Sequence, residues 1–284
     1  MQTSAIPEAA LPTLSKLGNP IIPDNLDVNA IVSEWLASFS TYASGGDVEG
    51  VLSTIVDSSF TSNFFNSKGN DAPSNASAIP VYWRDLLALT WNFRTFEGTP
   101  KIKEFLSSQL ASAQMSNFQL HKSVHPELQT PFPDLAWIQF LFTFETTIGL
   151  CSGIAKLVPI AAVPGQEPAL QWKVHCLFTN LDNLKGHPEK IGPLRNHEPN
   201  HGKWEAARQK EISFEGKDPA VLIIGGGQSG LDVAARLNAL GVSNLVIEKN
   251  PKIGDSWRTR YEALCLHDPV CGLEFVFLGS YSQI

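Results

Sequence analysis

Six consecutive residues, Gly225-Gly226-Gly227-Gln228-Ser229-Gly230, carry the spacing Gly-x-Gly-x-x-Gly. The chemistry open to such a run is phosphate binding by the backbone. Gly225 allows a tight turn, Gly227 lets the main chain approach a pyrophosphate with no Cβ in the way, and Gly230 lets a following helix lie close to the preceding strand. The N-terminus of that helix offers free N–H groups and a partial positive charge to the phosphates. Glu248 stands 23 residues after Gly225, suitably placed to accept hydrogen bonds from a ribose hydroxyl pair. Ser229 is better used beside phosphate than as a nucleophile, because its surroundings lack the Gly-x-Ser-x-Gly elbow.

These residues need a strand, a helix and a second strand to hold them. Ala220-Val221-Leu222-Ile223-Ile224 is a short apolar run suited to a buried parallel strand. Leu231, Val233, Ala234, Leu237 and Leu240 form one face of a helix that Gly241 ends, and Leu245-Val246-Ile247 is a second strand with Glu248 at its end. The expected unit is strand, helix, strand, of Rossmann type and binding a dinucleotide, over residues 218–284.

The remainder of the chain follows a different order. Residues 1–26, rich in Pro, Ala and Ser, read as an extended arm. Val28, Ile31, Val32, Trp35, Leu36, Phe39 and Tyr42 fall on one helix face, with Asp27 as its cap and Gly45-Gly46 as its stop. A short helix from Asp47 buries Val51, Leu52 and Ile55. Thr99-Pro100 predicts a third helix, with Thr99 supplying the cap oxygen and Ile102, Phe105, Leu106 and Leu110 inward. Residues 137–145 and 170–179 alternate with period two and read as strands, joined by a turn near 163–168. Helices followed by long strands predict an α+β domain over 27–182, its sheet mostly antiparallel. Residues 183–217 form a linker with a short polar helix at Trp204–Glu211.

This order of elements over 27–182, with the Trp83–Phe96 stretch between helices, resembles the NTF2-like, or SnoaL-like, α+β cone. Downstream, the residues from Glu248 through Gly254, Trp257-Arg258, Tyr261 and Leu264-Cys265-Leu266-His267 resemble the flavin-containing monooxygenase family, in which this stretch belongs to the FAD domain. The resemblance implies a cofactor-binding set of Gly225, Gly227, Gln228, Ser229, Gly230, Glu248, Lys249 and Trp257. The glycines and Ser229 would lie at the pyrophosphate, Glu248 at the adenosine ribose and Trp257 toward the flavin. Asp255 departs from the family's commoner glycine.

The implied activity is an FAD-dependent, NADPH-linked monooxygenase, an oxidoreductase. The likeness stops near Val270, so a truncated form is expected, holding the ADP half of an FAD site and no NADPH site. Two other functions are open. One is a non-enzymatic NTF2-like binding module that forms a homodimer. The other is a lyase or isomerase acting on a small-molecule substrate in the cone pocket. For the last, Arg84, Asp85, Arg94 and Glu97 could line the cone mouth with His121, His125 or His175 as acid–base partners; the alternative is ion pairs and sheet-surface polarity. No spacing names a catalytic residue.

Composition bounds these readings. In 284 residues, 43% are hydrophobic and 17% charged, which excludes a disordered chain, and a net charge of -7 argues against nucleic acid. The 4 cysteines are too few for a disulfide scaffold and include no Cys-x-x-Cys pair. His197 and His201 have the spacing of two ligands on a helix, with His187 and Glu198 nearby, but Pro199 argues against that helix, so no metal is expected. Trp83, Trp91, Trp137 and Trp172 are expected in core or interface. No secretory leader or membrane span is legible, and the expected location is cytoplasmic.

Overall fold

The computed structural model describes residues 11–58, 79, 81–161, 170–214, 216 and 218–260. The chain divides into two compact units, Met1–Lys185 and Gly186–Ile284.

The first unit begins with helix α1 (Val28–Ser44), which Asp27 caps by accepting from the Ala30 N–H at 3.0 Å. Its 3–4 spacing turns Val32, Trp35, Leu36, Phe39 and Ala43 inward. Helix α2 (Val48–Ser53) is capped in the same way by Asp47, which accepts from Gly50 N–H at 2.9 Å. Ile55 lies beyond its end, fully inside the core and bridged to Val174. Strands β1 (Tyr82–Leu86) and β2 (Phe93–Glu97) form a hairpin, and helix α3 (Thr99–Ala113) follows. Thr99 does not cap α3. Gly98, at φ +81°, turns the chain out of β2 and takes the cap position, while the Thr99 hydroxyl accepts instead from Ser58 N–H at 3.0 Å.

Strands β3 (Ser116–Leu120), β4 (Glu127–Phe132), β5 (Leu135–Glu145), β6 (Gly149–Ala161) and β7 (Leu170–Leu184) complete a seven-stranded sheet of order β2-β1-β7-β6-β5-β3, with β4 also on β5. The β1–β7 pair is parallel and the rest antiparallel, so the sheet is mixed. The turn expected at 163–168 lies outside the described residues.

Alternation along β5 sends Ile138, Phe140, Phe142 and Phe144 to the helix side. The Phe142 ring lies 5.9–6.5 Å from those of Trp35, Phe39, Phe118, Phe140 and Phe144. Across the β5–β6 pair it faces Gly153, where an added Cβ would sit 2.3 Å from Cζ of that ring. A ring held on all sides cannot retreat, so Gly153→Ala is expected to destabilise this unit by about 1–3 kcal/mol, the cost of overpacking. Urea unfolding at pH 7 checks it, and an unchanged midpoint contradicts it.

Residues 11–26 lie against this unit. Leu17 is wholly buried, its carbonyl accepts from Ala161 N–H at 3.2 Å, and Leu14 N–H donates to Asp134 O at 2.9 Å.

In the second unit, Glu189 pairs with Arg236 and Lys190 N–H donates to Ala239 O at 2.7 Å. Helix α4 (Trp204–Ser213) is exposed along its length. Strand β8 (Val221–Ile224), helix α5 (Gln228–Ala239) and strand β9 (Asn244–Ile247) follow, with β8 and β9 parallel in register from Val221↔Asn244 to Ile224↔Ile247. A short helix, α6 (Asp255–Arg258), closes the described chain. Among the described residues no helix is long and apolar enough to cross a membrane.

Candidate functional site

The glycine run joins β8 to α5. Gly225 has φ +105°, a conformation open to glycine at little cost, and its N–H donates to Ile247 O at 2.8 Å, so the turn is tied to the end of β9. Gly230 lies under that turn. A Cβ there would stand 2.0 Å from the Gly225 carbonyl oxygen and 3.3 Å from Ile223 Cγ2. Gly227 differs from both. Its backbone is extended, it occupies the cap position of α5 without a side-chain cap, and a Cβ on it would meet nothing within 4 Å among the described residues. The first-turn N–H groups of Gln228, Ser229 and Gly230 have no acceptor within the helix, as at any helix start.

Glu248 meets this turn directly. Its Oε2 accepts from Gly226 N–H at 2.6 Å, and its Oε1 accepts from Asn250 N–H at 2.9 Å and Asn250 Nδ2 at 2.7 Å. The backbone donors of Asn250 and then Gly226 hold the carboxyl below the ordinary Glu range. A Cβ on Gly226 would lie 2.6 Å from Cδ1 of the exposed Ile253 and 3.2 Å from Glu248 Cβ. Neither Gly226 nor Asn250 belongs to the set read from the sequence.

The other members of that set stand further along the chain. Lys249 is exposed. Trp257 is half-buried in α6, with the Arg260 guanidinium 5.7 Å from its ring centroid. Asp255 is the first residue of α6, behind Gly254 at the cap position, and its carboxylate accepts from Lys252 N–H at 3.1 Å and from Arg258 at 3.0 Å, so the departure from glycine is held by local partners. No described contact links Lys249 or Trp257 to the glycine turn.

In the first unit the acid–base candidates do not assemble. Asp85 is completely buried, and every partner it has is a donor. Thr179 Oγ1 donates at 2.7 Å, Leu89 N–H at 3.2 Å, and Thr90 N–H and Oγ1 each at 2.9 Å. Thr179 Oγ1 in turn accepts from Trp83 Nε1 at 3.0 Å. Arg84 is exposed and donates to Thr95 Oγ1 at 2.9 Å; Arg94, Glu97 and His125 are exposed. His121 Nδ1 accepts from Ser123 N–H at 3.3 Å. An open groove of about 1050 Å³ runs between residues 88–96 and α3, lined by Arg94, Lys101, Glu104, Trp91 and Phe93, and neither Asp85 nor any histidine lines it. The rings of Trp35, Phe39, Trp83, Phe140 and Phe142 pack into the core, and a second open groove of about 540 Å³ is lined by Trp35, Tyr42, Thr54, Trp172 and Lys173.

His175 is the buried polar group that this packing leaves over. The register steps from Lys156↔Cys176 to Leu157↔Val174, so His175 is the extra residue of a β-bulge. It is 7% exposed, its ring stands 6.2 Å from that of Tyr82, and its Nδ1 has no hydrogen-bond partner among the described residues. Burial, and then the Lys156 charge, lower its pKa from 6.5 to about 4. Above pH 6.5 the imidazole is neutral in both folded and unfolded chain and has no effect. As pH falls from 6.5 to 4 the unfolded chain takes up the proton first, and stability drops by about 3 kcal/mol in all. His175→Leu is expected to remove about 2 kcal/mol of the stability difference between pH 7 and pH 4.5, read by urea unfolding of both proteins. An equal loss in the two contradicts it.

Trp83 is in the core, Trp137 and Trp172 are half-buried, and Trp91 is 68% exposed. His187, His197, Glu198 and His201 are exposed, and among the described residues no group of three His, Cys, Asp or Glu could hold a metal ion. Cys151 and Cys176 are free thiols, and burial pushes that of Cys151 up to about 12.

Residues 223–274 match the NAD(P)-binding Rossmann-like domain family. No curated protein matches the chain. Solved structures similar to it include a ketosteroid isomerase-like protein from Erwinia carotovora atroseptica, at 12% identity and TM-score 0.35, covering 56% of this chain and 98% of that one. Others are ActVI-ORFA from Streptomyces coelicolor, at 11% identity and TM-score 0.33 over 55% and 98% of the two chains, and an NTF-2 like protein of unknown function from Shewanella oneidensis MR-1, at 8% identity and TM-score 0.33 over 54% and 98%. At this similarity nothing of their activity passes to this chain.

Proposed function

We propose that the second unit binds the ADP half of a dinucleotide cofactor and that the chain is an oxidoreductase of flavin-containing monooxygenase type, with FAD as the cofactor. The observation that carries this reading is the junction of Gly226 with Glu248 beside the open Gly227. A carboxylate at the end of β9 is held against the glycine turn, while no other part of the described residues lies within 4 Å of where a Cβ on Gly227 would stand. The family matched over 223–274 supports a dinucleotide, and the ADP half is common to NAD and FAD. The choice of FAD rests on the sequence pattern from Glu248 to His267.

In this reading Gly227 and the N–H groups of Gln228 and Ser229 would hold the pyrophosphate, Gly225 and Gly230 keep turn and helix together, and Glu248 would hold the adenosine ribose. Lys249 and Trp257 join the set through the family resemblance. A bound flavin would supply redox chemistry with O₂ and a reduced nicotinamide, and the protein would position and shield it.

The saturated Asp85 and the scatter of the other acid–base candidates favour a binding or scaffolding role for the first unit over a pocket lyase or isomerase. The experiment is a titration of the full chain with FAD and with NAD, followed by desalting and a visible spectrum. Retained flavin bands are expected. A protein that binds NAD and stays colourless with FAD overturns the flavin assignment while leaving the ADP half in place.

A further inference from the structure

We propose that Glu248 reads one ribose hydroxyl and not the pair, and that Asn250 is the residue that sets this limit. The proposal rests on the reading of residues 225–230 and Glu248 as an ADP site.

An ionised carboxylate has about four acceptor positions, two on each oxygen, and no donor. Three are taken by the chain itself. Oε1 accepts from both the N–H and the Nδ2 of Asn250, at 2.9 and 2.7 Å, and so is full. Oε2 accepts from Gly226 N–H at 2.6 Å, which leaves one position. A carboxylate that receives both hydroxyls of a ribose needs two. The Gly226 bond is kept in place by the turn that carries it, because the neighbouring Gly225 N–H ties that turn to Ile247 O at 2.8 Å. The second hydroxyl is therefore left to water or to another group. The carboxyl is held below the ordinary Glu range, so it stays an acceptor at neutral pH and cannot donate to the ribose in compensation.

Asn250 makes the arrangement specific. Its backbone N–H would reach Oε1 with any residue there except proline, but only a donor side chain takes the second position. Asn250→Leu leaves the main-chain bond and frees that position, so the variant gains room for the second hydroxyl. Asn250 is thus a positioning residue, acting through Glu248.

The test is calorimetric titration of the full chain with ADP, 2′-deoxy-ADP and 3′-deoxy-ADP. For the native protein, one deoxy analogue should bind about ten- to a hundredfold more weakly than ADP, the range for one hydrogen bond to a charged group, and the other should bind like ADP. Equal weakening of both analogues, or of neither, overturns the single-hydroxyl reading. In Asn250→Leu, and in Asn250→Ala as a second variant, both analogues should bind more weakly than ADP. A native pattern in a folded variant overturns the role of Asn250. If the native protein does not bind ADP at all, it is the ADP reading of the unit that fails, and this inference falls with it.

Discussion

Gly227→Val is expected to lower affinity for ADP and for FAD by at least about a hundredfold while the protein still melts as a folded chain. The side chain would project from extended backbone, its Cβ more than 4 Å from any other part of the described residues. The fold therefore loses at most about 1 kcal/mol, the penalty of a branched residue at a helix cap. A pyrophosphate must come within hydrogen-bond distance of the same backbone, and two methyl groups there hold it away from the α5 N-terminus. Gly230→Val should behave in the opposite way. Its Cβ, fixed by the helix backbone, would strike the Gly225 main-chain carbonyl at 2.0 Å, and neither can move without breaking the junction of β8 with α5. That variant should lose the second unit's protection from proteolysis whether or not nucleotide is present. Titration and limited proteolysis of the two variants side by side separate binding from folding. Full nucleotide affinity in Gly227→Val contradicts the assignment.

The second large effect concerns Asp85. Asp85→Ala is expected to destabilise the first unit by about 3–5 kcal/mol, because it leaves the buried N–H of Leu89 and the N–H of Thr90 without acceptors, each costing about 1–3 kcal/mol, and also releases Thr179. Asp85→Asn should also destabilise, by about 1–3 kcal/mol, although it is nearly isosteric. An amide keeps one acceptor oxygen and loses the charge, and its Nδ2 must either face a main-chain N–H or make a Thr hydroxyl turn from donor to acceptor. Urea unfolding of both variants is the measurement. An Asn variant as stable as the native chain would mean that the carboxylate is not an anchor of the β1–β2 turn, and would return Asp85 to the list of acid–base candidates.

The difference between these two sites explains what can be read from the chain without coordinates. The glycine turn is legible because its parts are local: Gly225 needs a positive φ and Gly230 a close approach, and both demands leave a glycine in the sequence. Helix α1 is legible because its buried residues recur at three and four. Strand β6 carries no such mark. It is covered on both sides over Leu157–Ile160, so its residues form an apolar run without alternation. Leu17 stands among Ser15, Lys16, Gly18 and Asn19, and the nearby Leu11, Leu14, Ile21 and Ile22 set up no sustained period that would show which of them is buried. Asp85 has a carboxylate's chemistry in the sequence, but whether that chemistry is free depends on Thr90, five residues on, and Thr179, ninety-four residues on. Asn250 did leave a signal, since Asn-Pro marks the start of a turn. What the dipeptide could not show is that the turn closes on the carboxylate of Glu248.

Titration calorimetry of the full chain with ADP tests the central claim most directly, since ADP carries every group that residues 225–230 and Glu248 are proposed to hold and none of the flavin. Saturable binding at one ADP per chain is predicted for the native protein, lost in Gly227→Val and weakened about ten- to a hundredfold in Glu248→Ala. No heat of binding up to millimolar ADP, from a protein whose second unit resists proteolysis, would contradict it.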